Sequence, residues 1–457
     1  MRRTKIVATL GPSSWDEETM GALLAAGVNV FRINTAHGNL EQHVELIRRV
    51  RALSPNGAVG ILLDTRGPKV RVAELPEPVP VEQGEEILLG EKGIPLTRPE
   101  VVASVPVGAR ILLADGAMEL EVLENFGNFL RCRALRRGLI QSGKGVNFPG
   151  ILLPLPALTA EDRASLRMAR EEKVDYVALS FVQRPEDILE AREILGPNGP
   201  AILAKVELTA AVQRMSELLA LADGAMVARG DLGVEIEPYR VPLVQKKLVD
   251  LCNAQAKPVI VATQMLQSMV SSPSPTRAEV ADIANAVWDG ADALMLSEET
   301  AVGKYPVEAV RVMAKAAEAA ESGDVPIRVP GLAPELVGEV PAAIAQAACT
   351  IAQEVGARLI LCATFSGWTA RLVSAFRPKV PVVAVTSQAD TVRRLSLVWG
   401  VTPLLIPEAD DVDALFSLAL AAAREAGFVG QGKRVVFTAG LPFRQPGTTN
   451  LLRVLEV

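Results

Sequence analysis

The sequence predicts a (β/α)8 barrel that carries an inserted small β domain and is followed by an open α/β-sheet domain. Three observations lead there. Eight short, apolar, β-branched runs alternate with stretches of helical spacing, the pattern of parallel strands buried on both faces. The rhythm breaks after the third run, where short strands are separated by Pro, Gly and Glu turns, and again at 322–340, a Pro/Gly-rich linker. Eight such units point to a closed barrel, with an open doubly wound sheet as the alternative arrangement.

The eight runs are 4–10 (TKIVATL), 28–35 (VNVFRINT), 59–65 (VGILLDT), 174–181 (VDYVALSF), 201–207 (AILAKVE), 224–231 (GAMVARGD), 258–265 (PVIVATQM) and 293–297 (ALMLS). Each except the third leads into a helical pattern, such as 40–53 or 208–222. The third leads into 72–148, which reads as a small β domain joined by two connections and so free to swing as a lid. Beyond the linker, helices near 341–355, 368–376 and 389–398 alternate with strands in RLILCAT, VPVVAVTS, VTPLLIP and KRVVFTA. The expected domains are therefore 1–71 with 149–330 for the barrel, 72–148 for the lid and 331–457 for the C-terminal α/β domain.

Composition excludes several functions. With a net charge of −6 over 457 residues, the chain lacks the basic surplus of a nucleic-acid partner, and 4% aromatics disfavour a base-stacking platform. At 49% hydrophobic and 22% charged it has material for several cores and too much for disorder. His37 and His43 are the two histidines, so a bound metal must rely on carboxylates. Cys132, Cys252, Cys349 and Cys362 form no CxxC pair and read as buried thiols of a reducing compartment. The N-terminal apolar run is too short for a signal peptide, and no run reaches the roughly 18 residues of a membrane span. A cytoplasmic protein without a membrane partner is expected.

Polar residues gather where the runs end. Arg32 and Asn34 close the second, Asp64 and Thr65 the third, Lys205 and Glu207 the fifth, Arg229 and Asp231 the sixth, Thr263 and Gln264 the seventh, Ser297 and Glu299 the eighth. In a barrel these ends meet on one rim, where active sites form. Glu207 and Asp231, on neighbouring strands, are able to share one hard cation such as Mg2+ through oxygen. Lys205 lies two residues before Glu207 and so on the same face, pointing into the barrel. The backbone N–H groups around Gly230 read as accessible to a substrate carboxylate.

The runs TKIVATLGPSS, NVFRINTAHG, LDTRGPKVR, AKVE, MVARGDLGVE, PVIVATQMLQSM, PSPTRAEVADIANAVWDGADALMLSEET and PGTTN resemble the pyruvate kinase family. The resemblance spans nearly the whole chain, with the inserted domain the least alike. It implies a glycolytic enzyme, a homotetramer, that uses Mg2+ (or Mn2+) to transfer a phosphoryl group from phosphoenolpyruvate to ADP, giving pyruvate and ATP. Carried over, Arg32, Lys205, Gly230, Asp231 and Thr263 hold phosphoenolpyruvate; Arg32, His37, Arg71 and Lys144 hold the nucleotide; Glu207 and Asp231 hold the metal. Lys205, Arg32, Thr263 and Ser297 are the catalytic set. Which group gives the proton to C3 of the enolate stays open, with Thr263 and Ser297 as the hydroxyls and Glu299 as a partner.

Three features depart from, or specify, that pattern. Many members hold K+ with an Asn, a Ser, an Asp and a Thr carbonyl; Asn34, Asp64 and Thr65 match, but Ala36 stands at the Ser position. Lys69 stands where K+-dependent members carry Glu, and Arg66 where they usually carry Lys. A tethered ammonium resembles K+ in charge and size, so Lys69 is expected to replace the ion and K+ not to be required. SEET at 297–300 replaces the family's SGET, and the sequence offers no reason for Glu298. Finally, ATFSGWTA at 363–370 (Thr364, Ser366, Gly367, Thr369) reads as a phosphate cradle at a helix N-terminus, and the resemblance implies that it holds a phosphorylated allosteric effector, expected to be a sugar phosphate or nucleotide monophosphate, with Arg444 as a cation. Two rival readings are another phosphoenolpyruvate or pyruvate barrel, and a non-catalytic sensor built on a decayed barrel.

Overall fold

The computed structural model describes residues 2–54, 57–114, 116–442 and 447–457. Along the chain, β1 (Lys5–Thr9), β2 (Val30–Asn34) and β3 (Gly60–Asp64) open the barrel. The insert then supplies β4 (Val79–Val81), β5 (Glu86–Gly90), β6 (Arg110–Leu113), β7 (Met118–Asn125), β8 (Phe129–Ala134), β9 (Gly138–Ile140) and β10 (Val146–Asn147). The barrel resumes with β11 (Tyr176–Leu179), β12 (Ala201–Val206), β13 (Gly224–Ala228), β14 (Val259–Ala262) and β15 (Ala293–Leu296). These eight barrel strands form a closed parallel ring. Closure is decided by β15 pairing with β1, Lys5 opposite Ala293 through Ala8 opposite Leu296, and the open-sheet alternative falls. Across the insert, β3 pairs directly with β11.

Continuous apolar runs make these strands because both faces are buried. Val7, Val30, Leu62, Leu203, Met226 and Ile260 fill the barrel interior, and Leu397 of the C-terminal region joins them. The outer faces pack on helices begun by capping boxes: Asn39 with Gln42, Thr159 with Asp162, Thr276 with Glu279. Buried Asp162 does a second job, accepting the Arg66 N–H (2.8 Å) and the Gly67 N–H (3.2 Å), which pins the chain as it leaves β3 for the insert.

Three predicted runs overshoot the strands. The sixth stops at Ala228, and Arg229–Glu235 is a short helix. The seventh stops at Ala262 because Thr263 and Gln264 turn left-handed (φ 69° and 55°), and the fourth stops at Leu179, with Phe181 at φ 57°. Each break lies at the rim, where the chain must turn out of the barrel.

The insert is a five-stranded antiparallel sheet, β10-β6-β7-β8-β5, beside the pair β4-β9. Its own core, around Leu89, Ile111, Leu120 and Leu130, also takes in Val70, Phe148 and Leu155 from the connections. The C-terminal sheet runs β18-β17-β16-β19-β20, with β16 (Leu359–Ala363), β17 (Val382–Thr386), β18 (Val401–Leu405), β19 (Arg434–Gly440) and β20 (Thr449–Glu456). The sequence reading lacks antiparallel β20 and the helix Val412–Glu425. The strand is a polar-studded edge, whereas the helix does carry an apolar face (Leu415, Phe416, Ala419 and Ala423) that helical spacing reveals.

The C-terminal sheet seals the barrel floor. Buried Arg377 binds Asp292 (3.2 Å), Asn253 Oδ1 (2.7 Å) and the Gly290 carbonyl (2.7 Å). The Lys5 ammonium, also buried, donates to the Val401 carbonyl (2.7 Å), and burial lowers its pKa to about 8. Unfolding therefore takes up a proton between pH 8 and the ordinary lysine value, so stability through this group rises with pH across that window. Denaturation at pH 7 and pH 9.5 checks this: the wild-type advantage over Lys5→Met should grow at the higher pH.

Candidate active site

The C-terminal strand ends open into a cavity of about 1050 Å3. Its floor is a cluster of buried charges supplied by successive strands. Lys205 of β12 points inward and its Nζ lies 2.7 Å from Ser180 Oγ, 3.0 Å from Asp64 Oδ1 and 2.8 Å from Glu207 Oε1. The other Asp64 oxygen takes Arg32 Nε (2.7 Å), and Arg32 Nη1 donates to Thr9 Oγ1 (3.0 Å). Burial alone would raise the Asp64 carboxyl, but Lys205 and Arg32 outweigh it and hold it below the ordinary carboxylate range. Burial alone would lower the Lys205 ammonium, but Asp64 and Glu207 outweigh it and raise it. Glu207 is pushed up by burial, which Lys205 opposes and Asp231 reinforces.

Glu207 Oε2 accepts the Phe181 N–H (2.8 Å), while its buried Oε1 faces the Lys205 ammonium. Asp231 sits in the first turn of the helix Arg229–Glu235, and Lys69 Nζ lies 2.8 Å from its Oδ1.

The opposite rim is built from backbone ties. Thr263, a β-branched residue at φ 69°, carries strain of about 1–3 kcal/mol. Arg229 holds it there, donating to the Thr263 carbonyl (2.7 Å) while paired with Asp282 (2.8 Å). The Arg229 side chain thus serves the loop rather than the cavity. Thr263 Oγ1 accepts the Gly230 N–H (2.8 Å) and donates to the Ala262 carbonyl (2.6 Å). The Gly230 N–H read as accessible is therefore committed inside the protein. Glu299 is fully buried and accepts the Ser297 N–H (2.7 Å) with one oxygen and the Leu266 N–H (3.0 Å) with the other. It is a staple between two loops, not a partner of the hydroxyls. Ser297 Oγ is buried without a partner among the described residues.

His37 and Arg71 also line the cavity, Arg71 tied to the Gly143 carbonyl (2.7 Å). Lys144, next in the chain, is exposed and does not line it. The expected monovalent-cation set is engaged by protein donors: Asn34 Oδ1 by the Ala36 N–H (3.1 Å), Thr65 O by Ser180 Oγ (2.6 Å), and Asp64 as described. Lys69 pairs instead with the Asp231 carboxylate. Ser180 escaped the sequence reading, although it ends its run in VALSF and the strand-end rule applied to the fourth run would have found it. Glu298 now has a contact, accepting from Gln267 Nε2 (2.7 Å) at the cavity mouth.

A second, smaller cavity of about 90 Å3 lies at the end of the C-terminal sheet, lined by Thr364, Ser366, Thr369, Thr386 and Glu408 among others. Gly367 (φ 83°) starts the helix Trp368–Ala375, its N–H donating to Thr364 Oγ1 (3.0 Å), with Leu395 only 3.1 Å from where a Cβ would stand. Thr369 and Thr449 share a hydroxyl bond (2.6 Å). Arg444 lies outside the described residues.

Comparison with known proteins matches this architecture end to end. The family model for the pyruvate kinase barrel domain matches residues 1–310, and that for the pyruvate kinase alpha/beta domain matches 342–455. The chain belongs to the pyruvate kinase family. It is 44% identical over 471 residues to pyruvate kinase 2 of Synechocystis sp., which spans 99% of this chain and 79% of that protein. It is 41% identical to the pyruvate kinase of Agrobacterium vitis (100% and 97%) and 41% identical to that of Staphylococcus aureus (99% and 80%). The pyruvate kinases are phosphotransferases that use a divalent metal. The residues present fit one: Glu207 and Asp231 bring two carboxylates to the same cavity wall, with Asp231 part-exposed to solvent. Among the described residues no group of three or more His, Cys, Asp and Glu is assembled for a metal. Two protein carboxylates, with the rest supplied by substrate and water, is the arrangement that suits Mg2+. No helix among the described residues is long and apolar enough to cross a membrane.

Glu299 gives this site a sharp test. Glu299→Ala orphans two buried N–H groups at about 1–3 kcal/mol each, so thermal denaturation should show a clear fall in Tm, and turnover should fall because Ser297 and the Thr263 loop lose their common anchor.

Proposed function

We propose that the protein catalyses phosphoryl transfer from phosphoenolpyruvate to ADP, giving pyruvate and ATP. The observation that carries the proposal is the convergence of Lys205, Arg32, Glu207 and Asp231 on one cavity in a chain of this family. Glu207 and Asp231 would hold the divalent metal, which when bound neutralises phosphate and enolate oxygens. The Lys205 ammonium, kept charged by its two carboxylates, binds the transferring phosphoryl group and stabilises the enolate oxygen. The Arg32 guanidinium clamps phosphate, with Asp64 fixing its plane. His37, Arg71 and Lys144 serve the nucleotide. Thr263 and Ser297 supply hydroxyls beside the enolate carbon; that of Ser297 is uncommitted, that of Thr263 is doubly bonded to backbone. An inserted domain that swings as a lid over residues 72–148, a homotetramer and a cytoplasmic site of action complete the reading.

K+ is not required in this proposal. Ala36 offers no side-chain oxygen, the remaining donors already have protein partners, and Lys69 brings a cation into the same cavity. A coupled pyruvate-forming assay in tetramethylammonium buffer tests both claims. ADP-dependent pyruvate release with little added stimulation by K+ is expected, and Lys205→Met should lower the rate by roughly 10²- to 10³-fold. Strong K+ stimulation would overturn the monovalent-cation claim, and absence of ADP-dependent pyruvate would overturn the function.

The C-terminal cavity is assigned to a phosphorylated activator, a sugar phosphate or nucleotide monophosphate, bound by the Thr364, Ser366, Gly367 and Thr369 loop with Arg444. Thr364→Ala with Ser366→Ala should abolish activation by such metabolites, measured against basal turnover. Collapse of basal turnover would make the loop's role structural.

A further inference from the structure

We infer that Lys69 is a built-in counterion of Asp231 that a divalent cation displaces, so that metal occupancy loosens a side-chain tie between the outgoing connection to the inserted domain and the barrel. The inference rests on the reading of Asp231 as a metal ligand given above.

Lys69 stands on the outgoing connection between two fixed points. Behind it, the Arg66 and Gly67 N–H groups are held by Asp162 on the barrel. Ahead of it, Val70 is buried in the core of the insert, and its carbonyl accepts the Val146 N–H (2.9 Å). The Lys69 side chain therefore links lid-side backbone to the barrel through its contact with Asp231 Oδ1. The return connection lands on the same short helix: Glu235 Oε2, one turn beyond Asp231, faces the Gly150 N–H at 3.4 Å. Arg229–Glu235 thus receives both connections, one by an ion pair and one by a weak hydrogen bond.

The ion pair is suited to exchange. Its side chains are 24% and 31% exposed, against 9% and 1% for the Lys205 to Glu207 pair deeper in the cavity. A solvated pair of this kind is weak, whereas the deep pair is held by the cost of stranding a buried charge. An ammonium and a divalent cation repel at contact distance, so the two compete for Asp231 Oδ1. The divalent ion gains the additional pull of Glu207, whose carboxyl lies within the electrostatic reach of Asp231. Lys69 is then the group that leaves, and its tether keeps it on the cavity wall.

Equilibrium Mn2+ binding, read from the electron paramagnetic resonance of the free ion without substrate or nucleotide, tests the exchange. Lys69→Met should tighten Mn2+ binding about two- to fivefold, and Lys69→Arg should restore wild-type affinity. Arg66→Met removes an exposed cation from the same wall and should tighten it less. Equal tightening in Lys69→Met and Arg66→Met, or none in Lys69→Met, overturns the displacement. Wild-type protein that fails to bind Mn2+, or whose affinity survives Asp231→Asn, overturns the metal-ligand reading itself and is told apart by that control. Lysine acetylation followed by peptide mass spectrometry gives an independent readout in the wild type. Adding Mn2+ should raise labelling of Lys69 severalfold with Lys92 as the internal reference; unchanged Lys69 labelling overturns the inference.

Discussion

A single buried ammonium organises the catalytic rim. Lys205 would be destabilising in this position without its two carboxylates, and those carboxylates would be destabilising without it and Arg32. The cluster therefore exists whole or not at all. Because Thr9, Arg32, Asp64 and Lys205 come from β1, β2, β3 and β12, and Ser180 directly follows β11, these bonds tie five neighbouring strands together at the end where the site forms. Closing the ring across the insert, β3 to β11, is what brings Asp64 and Ser180 to the same ammonium.

The remaining three strands are organised by other means. At the ends of β13, β14 and β15 the ties run through backbone: Arg229 to the Thr263 carbonyl, Thr263 to the Gly230 N–H, Glu299 to the Ser297 and Leu266 N–H groups. These bonds hold Thr263 in a conformation a β-branched residue otherwise avoids. One half of the rim thus presents charge and the other presents hydroxyls, which is the division a reaction needs when it moves a phosphoryl group on one face and a proton on another.

Much of this was legible in the sequence, for a physical reason. Parallel barrel strands are apolar until they reach the rim, so Lys205, Glu207, Asp64 and Arg32 stand out against their runs, and the family motifs reinforced them. Side-chain direction beyond the strand was not legible. Arg229 and Asp231 look alike as strand ends, yet once the chain turns into a helix at Ala228 one points to Asp282 and the other to the cavity. Glu299 looks like chemistry and is a staple, because two N–H groups distant in sequence need an acceptor. Lys69 was expected beside Asn34 and Thr65 but found Asp231, a pairing set by how the outgoing connection is pinned at Asp162 and Val70.

Depth in the cavity then sorts the charges by function. A net charge of −6 says little about a site whose ligands are small anions, because local field governs ligand choice. The deepest pairs are desolvated and mutually compensating, which holds their groups in one arrangement. The shallow Lys69 to Asp231 pair is solvated, so its contribution is small and its exchange inexpensive. A cation that must enter from solvent meets that pair before it meets Glu207. The solvated pair thus stands on the connection to the inserted domain, above charges that compensate one another and are desolvated.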